Sequence, residues 1–324
     1  MIAKIAKPNL IGIGPGRSGT TYLHEFLLTH KDVYIAPQKE TNFFCSNADI
    51  DDDDFEKYLT EHFSGATTEQ YRAEISPSYI TPWAQVEHAT SGRTAAAMKS
   101  RLDAETKLIL TLRSPVSRLF SQFKFDLRYY SLTGERLGRI AQLSEKHTFL
   151  CFEEMTGLAY IADDVQNFID QFGRENILVL VYETDFVGDS TEALNKTTDF
   201  LGIDRFAVSK QAAQIQINST QELEILFGSE HQHVTPSMDG RDADSASSIA
   251  LAPNQMYLRS GWYPLDAVVD MDPDEEPHWR LCAAQIKDKL SRAKEKQLNE
   301  ELYRDEIHKL EDTVQMELAK HWLP

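Results

Sequence analysis

The chain has 324 residues, 41% hydrophobic and 26% charged, the balance of a globular protein that can bury a large core. A formal net charge of -18 argues against nucleic-acid binding, which draws on counterion release by clustered basic residues. No stretch reads as a membrane span or secretory signal, and three scattered cysteines (Cys45, Cys151 and Cys282) fit a reduced thiol inventory, so a cytoplasmic location is expected.

In chain order, Leu10, Ile11 and Ile13 predict a buried strand, and Leu23, Phe26 and Leu27, at i, i+3 and i+4, predict the inner face of a helix. Between them lies Gly14-Pro15-Gly16-Arg17-Ser18-Gly19-Thr20-Thr21. Its glycines permit tight turns, and the amides of Ser18 to Tyr22 would open the helix with unpaired N–H groups facing an anion. Three ligand readings compete with a plain turn. Gly14 and Gly19 have the spacing of a triphosphatase loop, G-x-x-x-x-G-K-S/T, but Thr20 stands where the lysine is needed, which argues against ATP or GTP hydrolysis. Gly14, Gly16 and Gly19 also match the dinucleotide pattern, with Glu40 as the ribose acid, although Pro37 interrupts the intervening segment. The third reading is a phosphate-bearing donor whose cation is Arg17.

Val33–Ile35 predicts a short strand that turns at Pro37 into Lys39 and Glu40. The run Asp51 to Asp54 lacks EF-hand spacing and favours a helix start over a calcium loop. Tyr71–Ile75 predicts a third strand, stopped by Ser76-Pro77, and residues 94–102 continue as loop and helix. Lys107–Leu112 is another buried strand, ending in Arg113-Ser114-Pro115 and followed by Arg118, Phe120, Ser121 and Phe123. A magnesium-dependent P-loop enzyme usually has an aspartate at that strand end. An arginine there suits direct binding of anionic oxygen without a divalent ion.

Residues 164–172 read as a helix capped by Gly173, and residues 176–181 as a strand. This alternation implies parallel crossovers, with Gly14 to Gly19, Glu40, Ser76 and Arg113 at the carboxyl edge of the sheet. Residues 228–248 read as a mobile polar loop, where His231 and His233 have no companions to complete a metal site. Residues 279–324 read as a helical end; Ile307, Leu310, Val314 and Leu318 share one face, for core packing or for a homodimer.

The residues now in view resemble the sulfotransferases that use 3′-phosphoadenosine 5′-phosphosulfate. Gly16-Arg17-Ser18-Gly19-Thr20-Thr21-Tyr22-Leu23 is similar to their 5′-phosphosulfate loop. Arg113-Ser114-Pro115, through Arg118 to Ser121, is similar to their 3′-phosphate motif. Pro37-Gln38-Lys39-Glu40-Thr41-Asn42-Phe43-Phe44 resembles the catalytic-glutamate segment of the glycosaminoglycan-type branch and its bacterial relatives. Weaker similarity runs through Glu74 to Tyr79, Tyr160 to Glu183 and the C-terminal region.

The resemblance implies an α/β fold: a single three-layer α/β/α P-loop-type domain over residues 1–324, with a central, mainly parallel sheet and a helical C-terminal end. It implies metal-free sulfuryl transfer from the donor to an acceptor hydroxyl or amine, leaving adenosine 3′,5′-bisphosphate. Glu40 is then the base, Arg17 stabilises the leaving phosphate, and Lys39 either assists the sulfate or simply pairs with Glu40. Arg17, Ser18, Gly19, Thr20, Thr21 and Tyr22 would hold the 5′ end of the donor, and Arg113 and Ser121 its 3′-phosphate. Arg259 and Gly261, in a late loop, either close over that phosphate or form a plain surface turn. The acceptor is a small molecule, a carbohydrate or a carrier-bound group, with neither nucleic acid nor membrane as partner. The rival readings are a P-loop nucleotide or small-molecule kinase and a non-catalytic nucleotide-binding protein.

Overall fold

The apolar runs of the sequence become strands β1 (Leu10–Gly12), β2 (Val33–Ile35), β3 (Tyr71–Ile75), β4 (Lys107–Leu112) and β5 (Ile177–Val181) of one sheet, ordered β2-β3-β1-β4-β5. Every neighbouring pair is parallel. The computed structural model describes residues 5–46, 49–81, 90–133, 159–188, 190–206, 224–229, 233–234, 249–259, 267–274, 276–288 and 290–324. The chain forms two units: Met1–Pro115, Leu158–Ile217 and Lys296–Pro324 make the first, and Val116–Gly157 with Asn218–Glu295 the second.

Helices α1 (Thr20–Leu27), α2 (Phe43–Ser46), α3 (Asp52–Phe63) and α4 (Ser91–Arg101) lie in the first unit, and α5 (Pro115–Thr133) leads out of it. The first unit also holds α6 (Ala162–Phe172) and α7 (Thr191–Leu201); α8 (Glu276–Asp288) belongs to the second, and α9 (Arg292–Leu302) leads back to α10 (Arg304–Val314) and α11 (Ala319–Trp322).

The β4 run is apolar without alternation because a parallel strand is covered on both faces, and Leu108, Ile109, Leu110 and Leu112 are all buried. Leu23 and Leu27 of α1 join Leu10, Val33, Ile35, Ile109 and Leu180 in one cluster, each such side chain contributing about 1.5–3 kcal/mol by burial. The acidic run starts α3 as expected: Asp51 accepts from the amide of Asp54 at 2.8 Å. Gly173 closes α6 at φ 81°. Strand β5 begins one residue later than the sequence suggested, because Asn176 ends a 3₁₀ turn and ties its side chain back to the Phe172 carbonyl at 2.9 Å.

The chain moves from β1 outward to β2, returns to β3 beside β1, and then crosses to β4 on the other side of β1. That reversal opens a crevice at the carboxyl ends of the central strands, the usual ligand position in such sheets.

The second unit contains an antiparallel sheet, ordered β10-β9-β6, made of β6 (Glu224–Phe227), β9 (Gln255–Arg259) and β10 (Ala267–Asp270). A two-residue ladder joins β7 (His233–Val234) to β8 (Ile249–Ala250). Two sequence expectations are corrected here. His233–Val234 is paired backbone within the stretch read as loop. Residues 257–259, read as part of a late loop, complete β9, where Met256 and Tyr257 are buried and Arg259 pairs with Glu224. His231, Cys151 and Gly261 lie outside the described residues. Among those described, no helix is long and apolar enough to cross a membrane.

Candidate functional site

The glycine loop fills the exit of β1. Gly14 lies against β4 so closely that a Cβ there would sit 2.0 Å from Oγ1 and 2.5 Å from the amide of Thr111. Ser18 is fully buried, and its hydroxyl donates to the Pro15 carbonyl. Its only proton is thereby used, so Thr111 Oγ1 is the donor across their 2.7 Å contact. The Ser18 side chain therefore sets the shape of the loop, while its amide belongs to the turn expected to face an anion. Arg17 takes φ 67°, a left-handed conformation that a non-glycine residue keeps only where its surroundings fix it.

Helix α1 opens on Gly19 at φ 101°, with no side-chain cap and no acidic residue in its first turn. In α3, Asp51 caps the helix and three aspartates fill the first turn. A helix start of this kind, without an acidic side chain in its first turn, suits an external anion through its dipole and its first backbone N–H groups. Thr20 is buried. Tyr22 packs at a tilt against Phe26, meets Phe186 edge to face and hydrogen-bonds Ser190, which ties the first turn of α1 to the segment after β5.

Arg113, at the end of β4, donates from Nη1 to the carbonyl of Arg17 at 3.0 Å, and its guanidinium lies 4.4 Å from the ring centre of Tyr182. The two arginines predicted to meet the donor are therefore joined directly, one holding the strained residue of the other's loop. Behind them lies a network that the sequence did not reveal. Glu183 accepts from the amide of Ser114 at 3.1 Å and from Trp322 Nε1 at 3.0 Å. Asn299 bridges Ser114 Oγ and the Trp322 carbonyl, at 3.0 Å each. Burial pushes the Glu183 carboxyl above its usual range, against the nearby positive charge of Arg113. Glu183 stands just past a strand end, a signal that sequence reading can use; Trp322 and Asn299 carry no local signal.

Lys39 and Glu40 sit at the same sheet edge. The Glu40 amide donates to the Ile75 carbonyl at 3.2 Å, and the Ser76 amide donates to the Gly12 carbonyl at 3.0 Å, so two backbone bonds link Glu40 to the root of the glycine loop. Lys39 Nζ donates to Glu40 Oε1 at 2.6 Å, with the Glu40 side chain 39% exposed. His24, on α1, is within electrostatic reach of both, and burial holds its pKa below the usual imidazole value.

Ser121 and Arg118 lie on α5 and are buried; they and Arg259 belong to the second unit. The structure thus brings together Arg17, Ser18, Gly19, Thr20, Thr21, Tyr22, Arg113, Lys39 and Glu40 within the first unit. Among the described residues, no cluster of three or more His, Cys, Asp or Glu could hold a metal ion.

A model of the sulfotransferase domain matches residues 7–242, most of the chain. This chain belongs to the sulfotransferase family. It is 30% identical over 122 residues to the membrane-associated sulfotransferase kil1 of Dictyostelium discoideum, a match covering 38% of this chain and about a quarter (24%) of that protein's length. Among solved structures, a sulfotransferase from Alicyclobacillus acidocaldarius is 23% identical with a TM-score of 0.48, the match covering 67% of this chain and 90% of the other. A mouse sulfotransferase complexed with PAP is 19% identical with a TM-score of 0.37, covering 64% of this chain and 62% of the other.

Proposed function

We propose that this sulfotransferase moves a sulfuryl group from 3′-phosphoadenosine 5′-phosphosulfate to an acceptor hydroxyl or amine by in-line displacement, with Glu40 as the base. The observation that carries the reading is the uncapped, acid-free start of α1 behind a glycine loop whose Arg17 carbonyl is held by Arg113. The donor supplies an electrophilic sulfuryl group and a phosphate leaving group; the chain supplies grip, charge and a proton acceptor.

In this reading the amides of Gly19 to Tyr22 and the hydroxyls of Thr20 and Thr21 hold the 5′ end, and Arg17 balances charge developing on the leaving phosphate. Arg113 recognises the 3′-phosphate, a group that ATP lacks, and Ser121 keeps the same assignment from its motif. Lys39 orients Glu40 through their 2.6 Å bond. Glu40 takes the acceptor proton, help typically worth about a hundred- to ten-thousand-fold in rate. Nothing in this chemistry asks for a metal, and the acceptor is a small molecule, a carbohydrate or a carrier-bound group.

Calorimetry with adenosine 3′,5′-bisphosphate and ADP, combined with transfer of radiolabel from the donor into fractions of a host extract, tests the proposal. Tight binding of the bisphosphate alone and label in one acceptor fraction are expected. Glu40→Gln should keep bisphosphate affinity within about twofold while losing at least about a hundredfold in transfer. Retained turnover removes Glu40 as base; magnesium-dependent ATP turnover supports the kinase reading instead.

A further inference from the structure

The backbone that presents Glu40 is unusual: Glu40 and Asn42 both adopt left-handed conformations, at φ 64° and 54°, on either side of Thr41. Left-handed non-glycine residues are disfavoured by about 1–3 kcal/mol each and persist where neighbouring bonds fix them. Here those bonds converge on one buried carboxylate. Glu74, at 1% exposure, accepts from Tyr58 at 2.6 Å and Tyr79 at 2.8 Å on Oε1, and from Ser76 at 3.1 Å and Thr41 on Oε2. Two donors to each oxygen fill the acceptor sites of a carboxylate. The Asn42 amide donates to Ser76 Oγ at 3.2 Å, and Ser78 donates to the Asn42 side chain. Tyr58 comes from α3, Tyr79 and Ser76 from the exit of β3, and Thr41 from the Glu40 loop, so Glu74 is the atom group they share.

We infer that Glu74 is a positioning residue for the proposed base: through Thr41 and Ser76 it locks residues 40–42 in the left-handed turn that aims Glu40 along the sheet edge. The inference rests on Glu40 being the base. Glu74 itself is buried, with both oxygens engaged by these four donors. An amide in its place keeps one oxygen acceptor but turns the other into a nitrogen donor, so two of the four hydroxyls lose their acceptor.

The test uses the full chain and four variants: Glu74→Gln, Thr41→Val, Thr41→Ser and Glu40→Gln. Hydrogen exchange over residues 38–46 should accelerate about tenfold or more in Glu74→Gln and Thr41→Val, and stay near wild type in Thr41→Ser, where the hydroxyl returns. Affinity for adenosine 3′,5′-bisphosphate should remain within about twofold in all four, while kcat for the labelled acceptor fraction falls about tenfold or more in Glu74→Gln and Thr41→Val with the donor KM unchanged. Unchanged exchange at 38–46 in both Glu74→Gln and Thr41→Val overturns the anchor, whatever the catalytic result. If exchange rises but Glu40→Gln retains turnover, the anchor stands and the base assignment falls, so the two failures are separable. Thr41→Val alters a partly buried loop residue and keeps the test open should Glu74→Gln fold poorly.

Discussion

At Gly14 the loop has no room for even one added carbon. An alanine would press its Cβ onto backbone and hydroxyl atoms of Thr111, and because those atoms belong to the central strand β4 they cannot swing aside. Gly14→Ala should therefore destabilise the chain by about 1–3 kcal/mol and displace the loop, lowering affinity for adenosine 3′,5′-bisphosphate. Thermal unfolding and calorimetry on the same preparation check both effects. Gly19 differs, since an added Cβ there would meet Phe186 at 3.4 Å, ordinary contact, and the restriction is its φ of 101°. Two glycines of one motif are thus required for separate reasons, one for space and one for dihedral. Sequence reading named both but could not tell them apart, because the strand that crowds Gly14 arrives about a hundred residues later in the chain.

The elements of the parallel sheet were legible because their signals are local. The run at Lys107–Leu112 is continuously apolar, and α1 follows a 3.6-residue period, so both stand where the pattern put them. The antiparallel β9 was missed because its five residues, Gln255–Arg259, alternate only weakly and precede a glycine that reads as a turn. The brace of the Arg113 turn was hidden for another reason: it joins β4, the segment after β5 and the last helix, and no spacing rule reaches from Ser114 to Trp322. Its energetics can still be tested. Trp322→Phe keeps an aromatic ring but removes the Nε1 donor to the half-buried Glu183 carboxylate together with part of the indole's packing, and leaving such an acceptor unsatisfied costs about 1–3 kcal/mol before the lost packing is added. Because Glu183 also holds the Ser114 amide, bisphosphate affinity should fall several-fold as well. A loss of stability with no change in affinity would show that the brace supports the fold without reaching Arg113.

For the whole molecule, net charge and the buried carboxyl groups point the same way on pH. The chain carries a net charge of -18, so self-repulsion in the compact state grows as pH rises above its pI of about 5.0. Burial raises the carboxyl groups of Glu74, Glu183, Asp164 and Glu306 above their usual range, in Glu74 against the opposing effect of four hydroxyl donors. A carboxyl whose folded pKa is raised binds its proton more tightly in the native state. Its contribution to stability is full below the unfolded value, about 3.9 for an aspartate and about 4.3 for a glutamate, and is lost as pH rises through the folded value. His24 works in the opposite sense: its folded pKa is lowered by burial, so stability falls as pH drops below about 6.5. A single melting curve against pH mixes these groups, and a comparison separates them. The midpoint of wild type minus that of Glu74→Gln removes every shared group and leaves the Glu74 titration on a constant offset from the altered hydrogen bonds. That difference should decline as pH rises from about 4.5 through the folded Glu74 value, because above it the wild type alone carries an ionised carboxylate in the core. A difference that grows with pH would mean that the four hydroxyls outweigh desolvation and that Glu74 is held as a carboxylate below its usual pKa.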